Sequence, residues 1–164
     1  MKILGIDPAM RNAGYGLIES NGQVHRFIEC GVIKNLPKIS QTACLLKITE
    51  EFKEIILKHE PDEVAVEGII FVQNFQTAIA MGAARAAALI ACASCLLPIY
   101  EYAPRKIKAS VTGMGQAGKG QVGFMIRALL KMSQTPPPDA ADALAVALTH
   151  SMNQKGILKP LRIG

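Results

Sequence analysis

Apolar and polar residues alternate along this chain in distinct rhythms, and each rhythm predicts an element. The opening run, KILGID, is apolar up to Asp7 and breaks at Pro8, which predicts a buried first strand over residues 2–7. AGYGLIES and VHRFIECGVI follow on either side of Asn21-Gly22, the strongest hairpin signal in the chain. From about Ser40 to His59, apolar residues recur at three and four (Leu45, Ile48, Phe52, Ile55, Ile56), the spacing of an amphipathic helix. A short strand, Val64 to Val66, again ends in a carboxylate, Glu67, and PIYEYA reads as the next strand. Helical segments are predicted around 104–111 and 120–132, and DAADALAVALTHSM as a last helix after the break at TPPPD. A meander of strands followed by alternating strands and helices predicts an α/β fold, a mixed sheet covered by helices. We expect one domain over residues 1–150 and a short, basic, loose tail over 151–164.

The stretch from Gln76 to Leu97 has no polar face and is apolar enough to raise the question of a membrane span. Arg85 in its middle costs about 2.5–3.5 kcal/mol on insertion, and alanine offsets little of it, so a packed core helix is expected and no membrane. Its many small residues would let a second helix approach closely, with Ala83 and Ala87 expected on the exposed face. Cys92 and Cys95 sit in the same stretch. A zinc site would need two more ligands nearby, and His25, His59 and His150 are scattered, so the pair reads as small apolar residues of a helix.

Half of the 164 residues are apolar, which excludes a disordered chain. Eighteen basic against thirteen acidic residues leave a net charge of +5, which suits a polyanionic partner. The four cysteines and the short N-terminal apolar run are those of a reduced, cytoplasmic protein.

Against that basic background the carboxylates stand out. Asp7 and Glu67 both end apolar strands, and if those strands are parallel neighbours both emerge at one sheet edge, where α/β proteins place ligands. Asp139 and Asp142, three apart, share one face of the last helix. Each has a plainer reading: Asp7 before Pro8 as a turn, Glu67 as a strand end, Asp139 as a helix cap with Asp142 favoured by the helix dipole. Four carboxylates in one cleft would repel one another unless cations neutralise them, and hard divalent ions such as Mg²⁺ take oxygen ligands. Two such ions about 3.5–4 Å apart make a phosphoryl-transfer site.

GIDP, GYG, VAVEG, EYAP, VTGMGQAGKGQV and DAADALAVALTH, in that order, resemble the RuvC family of Holliday junction resolvases over nearly the whole chain, to about residue 150. The resemblance implies a ribonuclease H-like fold with a five-stranded mixed sheet flanked by helices. It implies that Asp7, Glu67, Asp139 and Asp142 bind Mg²⁺, with Mn²⁺ able to substitute, and that Lys108 and Lys119 complete the catalytic group. The base-probing loop of the family falls on GIIFVQNF, which nominates Phe71 and Asn74 for DNA contact and makes Phe75 a second candidate for base stacking, although its expected place is the core. Arg11, Arg85, Arg105, Lys106, Lys108 and Lys119 are the expected phosphate contacts. The implied activity is a crossover junction endodeoxyribonuclease that nicks a four-way DNA junction in pairs, as a homodimer, alongside the RuvA–RuvB branch-migration complex. The chain departs from the family pattern at Ala9-Met10, at Gly68, and in the aromatic of the probing loop, one position late. A sugar-kinase or actin-like ATPase also opens with a strand and Asp but needs a second domain, for which 164 residues are too few. A silent junction-binding module would lack a carboxylate, and a ribonuclease of the same fold fits the chain length and DAADALA less well.

Overall fold

The computed structural model describes residues 1–69, 74–153 and 161–164. Its sheet is built from β1 (Lys2–Asp7), β2 (Asn12–Ser20), β3 (His25–Lys34), β4 (Glu63–Glu67), β5 (Ile99–Tyr102) and β6 (Leu161–Arg162). The order across the sheet is β3-β2-β1-β4-β5-β6. β1 pairs with β2 and β2 with β3 antiparallel, β1 with β4 and β4 with β5 parallel, and β6 antiparallel on β5. The first five are the expected mixed sheet of a ribonuclease H-like fold. The sixth lies in the last residues of the tail, where Arg162 and Leu161 pair with Tyr100 and Glu101.

Helices cover both faces: α1 (Gln41–His59) and α2 (Phe75–Ser94) on one, α3 (Pro104–Thr112), α4 (Lys119–Leu129) and α5 (Pro138–Asn153) on the other. Strand alternation sends Leu4, Ile6, Val64 and Val66 toward α1 and α2, and Ile3 and Ala65 toward α5. α1 begins where the Ser40 hydroxyl accepts from the Ala43 N–H, and it buries Ile48, Phe52, Ile55 and Ile56 as its periodicity predicts.

α2 is long and apolar enough to cross a membrane by composition. Here Ala84, Ala87, Ala88, Ala91 and Cys92 pack into the core, with the Thr49 hydroxyl donating to the Ala87 carbonyl at 3.2 Å. Ala87 is therefore not on the exposed face as expected. That face carries Phe75, Ile79, Ala86 and Ile90 at helical spacing. A helix with no polar side cannot tell a sequence reader which of its apolar stripes is the inner one.

α5 lies directly on β1 and β2 because glycine lines its path. A Cβ on Gly5 would fall 2.0 Å from the Ala143 carbonyl oxygen, and one on Gly14 the same 2.0 Å from that of Asp139. Any side chain there would lift α5 off the sheet. These glycines hold the first turns of α5 against the end of β1, and so bring Asp139 and Asp142 to Asp7.

Candidate active site

β1 and β4 are parallel neighbours, with Ile6 opposite Val66, so Asp7 and Glu67 leave the same edge of the sheet side by side. Both point to the α5 face, as do Ile3 and Ala65 at the alternate positions. Asp7, Glu67 and Asp142 line one cleft of about 250 Å³, together with Pro104, Ile107, Lys108, Lys119 and Val122. Pro104 opens α3, and Lys108 follows one turn later on the same helix face. Lys119 is the first residue of α4, and its Nζ stands 3.6 Å from Asp142 Oδ2. The larger groove of about 1100 Å³, between the start of β3 and residues 129–137, contains no Asp or Glu. Size alone does not nominate it; the strand-end and α5 carboxylates and the two lysines gather in the smaller cleft.

The carboxylates are in conflict. Burial, followed by the charges of Glu67, Asp142 and Asp139, pushes Asp7 up to about 8. Asp7 and Glu67 act on each other directly, side chain to side chain. Glu67 is raised by burial and by Asp142, against the pull of Asp7, Lys108 and Lys119. Asp142 is raised by burial too, although Lys119 opposes it. Asp139 is half-buried at the second position of α5, outside the cleft lining but close enough to act on Asp7 and Asp142.

Among the described residues, no three carboxylate, imidazole or thiol groups are drawn tightly enough to enclose an ion. The donor set nonetheless fits a hard divalent cation. It is all oxygen, it is half-buried, and it gathers carboxylates whose mutual repulsion a cation would neutralise.

The other nominated residues divide. Arg105 is exposed on α3, and the Lys106 ammonium lies 5.7 Å from the centre of the Tyr102 ring. Arg11 is a strap, donating from Nη1 to the carbonyls of Leu36 at 2.7 Å and Ile39 at 3.4 Å. Asn74 caps α2, accepting from the N–H groups of Gln76 and Thr77. Arg85, nominated as a phosphate contact, is instead ion-paired with Glu101 of β5 and only 19% exposed. Phe75, expected in the core, is 87% exposed at the start of α2. Phe71 lies outside the described residues. Met10, where the chain departs from the family pattern, packs against the core, and its carbonyl accepts from Asn35 Nδ2 at 2.9 Å. Sequence reasoning passed over Glu101 and the glycines beneath α5. The glycines left a signal: Gly5 and Asp7 share a face of β1, Gly14 and Gly16 share a face of β2, and α5 is rich in alanine.

Comparison with known proteins bears on what this cleft does. The family model "Crossover junction endodeoxyribonuclease RuvC" matches residues 3–150. A crossover junction endodeoxyribonuclease RuvC from Akkermansia muciniphila is 51% identical over 150 residues, covering 92% of this chain and 90% of the relative. One from Halorhodospira halophila is 43% identical over 164 residues, covering 99% and 97%. The structure of T. thermophilus RuvC in complex with Holliday junction substrate superposes with a TM-score of 0.90 at 33% identity, covering 98% of this chain and 99% of that one. The yeast mitochondrial resolvase Ydc2 shares the fold at 11% identity, with a TM-score of 0.62. With the match spanning the carboxylates of β1, β4 and α5 alike, the chain belongs to the RuvC family of crossover junction endodeoxyribonucleases.

Proposed function

We propose that this chain resolves four-way DNA junctions by Mg²⁺-dependent hydrolysis, with Asp7, Glu67, Asp139 and Asp142 as the metal-binding carboxylates. The observation that carries the reading is the cleft itself: three half-buried carboxylates, with Glu67 and Asp142 both raising Asp7, and two lysines at the rim. The quartet would hold two Mg²⁺ ions, with Mn²⁺ able to replace them. Bound there, the metal supplies Lewis acidity toward the scissile phosphate and lowers the pKa of an attacking water.

The chain's own residues do the rest. β1 and β4 give Asp7 and Glu67 rigid mounts, and α5, seated on glycine, sets Asp142 opposite them. Lys119 and Lys108 bring positive charge to the position where the phosphate gains negative charge in the transition state. At the start of α4 Gln121 Oε1 accepts from the Gly118 N–H at 2.9 Å, while the N-cap Gly118 offers no side chain to the first-turn N–H groups, which add to the positive potential around Lys119. Ile107 and Val122 form an apolar wall that keeps these charges in a low-dielectric setting. Arg105 and Lys106 extend the basic surface along α3 for the arms of the junction, while the exposed Asn74 and Phe75 mark the start of α2 as a base-contacting edge.

The apolar stripe of Phe75, Ile79, Ala86 and Ile90 supports a two-fold homodimer through α2, which would set two copies of the cleft on symmetric strands for paired nicks. Ile90→Glu should then give a folded monomer by light scattering that has lost paired cutting. A functional link to a RuvA–RuvB branch-migration complex rests on family membership.

The test is cleavage of a synthetic four-way junction, a linear duplex and a structured RNA in Mg²⁺. The junction alone should be cut. Equal cutting of the RNA would favour a ribonuclease, and no cutting of the junction would refute the reading.

A further inference from the structure

Arg85 is the only charged residue of α2, and it is half-buried. Its Nη2 contacts Glu101 Oε2 on β5, and the two side chains are 19% and 28% exposed. Arg85 Nε is buried with no hydrogen-bond partner among the described residues. Such a pair adds little net stability, because desolvating two charges offsets their attraction, and in some proteins its role is to fix geometry.

That geometry lies beneath the exit of β4. Glu101 is opposite Val66 in the parallel register, and its side chain leans over Gly68, the next residue on the same face. A Cβ at Gly68 would fall 2.8 Å from Glu101 Oε1 and 3.1 Å from both Cδ and Cγ. The Glu101 carboxylate thus occupies the space a side chain at 68 would enter, and a larger residue there would push this flexible carboxylate off its place beside Arg85. The Gly68 N–H donates to the Tyr102 carbonyl at 2.9 Å, so the β4–β5 ladder continues one residue past Glu67. Glu67 is therefore held between two ladder positions, with the Arg85–Glu101 pair under the second.

We propose that Arg85 and Glu101 are positioning residues of the nuclease site: their ion pair, packed under Gly68, fixes the direction in which Glu67 enters the cleft and ties it to α2. The proposal rests on Glu67 being a metal-binding residue. Neither Arg85 nor Glu101 lines the cleft, so any effect of changing them on metal binding travels through the backbone of β4.

The test uses full-length Glu101→Gln, which leaves Arg85 unpaired, and the double variant Arg85→Met/Glu101→Leu, which removes both charges and avoids a stranded one. Mn²⁺ affinity is measured by electron paramagnetic resonance without DNA, the Mg²⁺ dependence of junction cleavage separately, and junction affinity in Ca²⁺ as a control. Both variants should bind Mn²⁺ more weakly by roughly 10–100-fold, the scale of losing support behind a metal-binding side chain, and should need correspondingly more Mg²⁺ to cut. Junction affinity in Ca²⁺ should hold. A lower unfolding temperature with wild-type Mn²⁺ affinity and Mg²⁺ dependence would overturn the proposal, leaving the pair as a simple anchor for α2. If the wild type binds Mn²⁺ but cuts no junction, the nuclease reading fails while weaker Mn²⁺ binding by the variants still supports the positioning role. If the wild type binds no Mn²⁺, both fall.

Discussion

β4 and α5 each carry polar chemistry at both ends, and the two ends behave in opposite ways. Near the start of β4, Glu63 meets His150 from the far end of α5, Oε2 to Nε2 at 2.6 Å. The other ring nitrogen, Nδ1, lies 2.8 Å from the Tyr102 hydroxyl. Tyr100 stacks on the imidazole with ring centres 4.6 Å apart. His150 is 1% exposed, and burial lowers its pKa even against Glu63. A neutral ring matches the geometry, with Nε2–H donating to the carboxylate and Nδ1 accepting from the phenol. Beside it, Ser151 Oγ donates to Ser20 Oγ at 2.6 Å. At the opposite end of the same strand and the same helix, Glu67 and Asp142 face Asp7 with no imidazole to receive them. The lower end is a closed polar network. The upper end is a set of carboxylates held together by the fold against their mutual repulsion, and that contrast is what marks the upper end as the candidate site.

The pH dependence of the two ends differs in sign. The folded protein holds the proton of Asp7 up to about 8, whereas its ordinary value is 3.8. Between those values the native state binds more protons than the unfolded state, so this group makes the metal-free protein less stable as pH rises. His150, lowered from 6.5, acts the other way: the unfolded state takes the proton first, and stability is lost as pH falls below that value.

The largest expected effect breaks the upper end. Glu67→Gln or Asp142→Asn should abolish Mg²⁺-dependent junction cleavage while junction affinity in Ca²⁺ is retained, since removing negative charge beside DNA does not weaken phosphate attraction. Near wild-type cutting would remove that residue from the metal-binding set. Next comes Lys119→Ala, which should lower the single-turnover rate by roughly 10²–10³-fold, the scale of losing one preorganised donor. A weaker grip on the junction at unchanged rate would make Lys119 an ordinary phosphate contact. The lower end should respond differently. His150→Ala should cost about 2–4 kcal/mol of unfolding free energy, through a lost buried side chain and a carboxylate deprived of its donor. Measured by urea denaturation, that loss should come with a nearly wild-type cleavage rate for the folded fraction. Equal damage to rate and stability would mean that the two ends are not separable.

Much of the upper end was legible in the sequence because its physics is local. A strand that stops at a carboxylate, twice, and two aspartates three apart on a helix need no tertiary knowledge to be noticed. The strand rhythm and the Asn21-Gly22 turn likewise predicted the meander. What escaped depends on partners distant in sequence. Arg85 could be read as a DNA contact until Glu101 was seen across from it, and nothing in the sequence placed the Glu101 side chain against Gly68. α2 gave no inner and outer side to read, so Ala87 and Phe75 were each placed on the wrong one. The two-residue β6 is too short for any periodicity and owes its conformation to the open edge of β5.

Thermal unfolding of the wild type and Asp7→Asn at pH 8, with and without Mg²⁺, tests most directly the claim that the upper end is a frustrated cation site. Without Mg²⁺, Asp7→Asn should be the more stable of the two, because the substitution removes the carboxyl that burial and its neighbours oppose, and its advantage should shrink as pH is lowered toward 5. With Mg²⁺, the wild type should rise in melting temperature and Asp7→Asn much less. A wild type indifferent to Mg²⁺, or an Asp7→Asn protein less stable than wild type in its absence, would contradict the account.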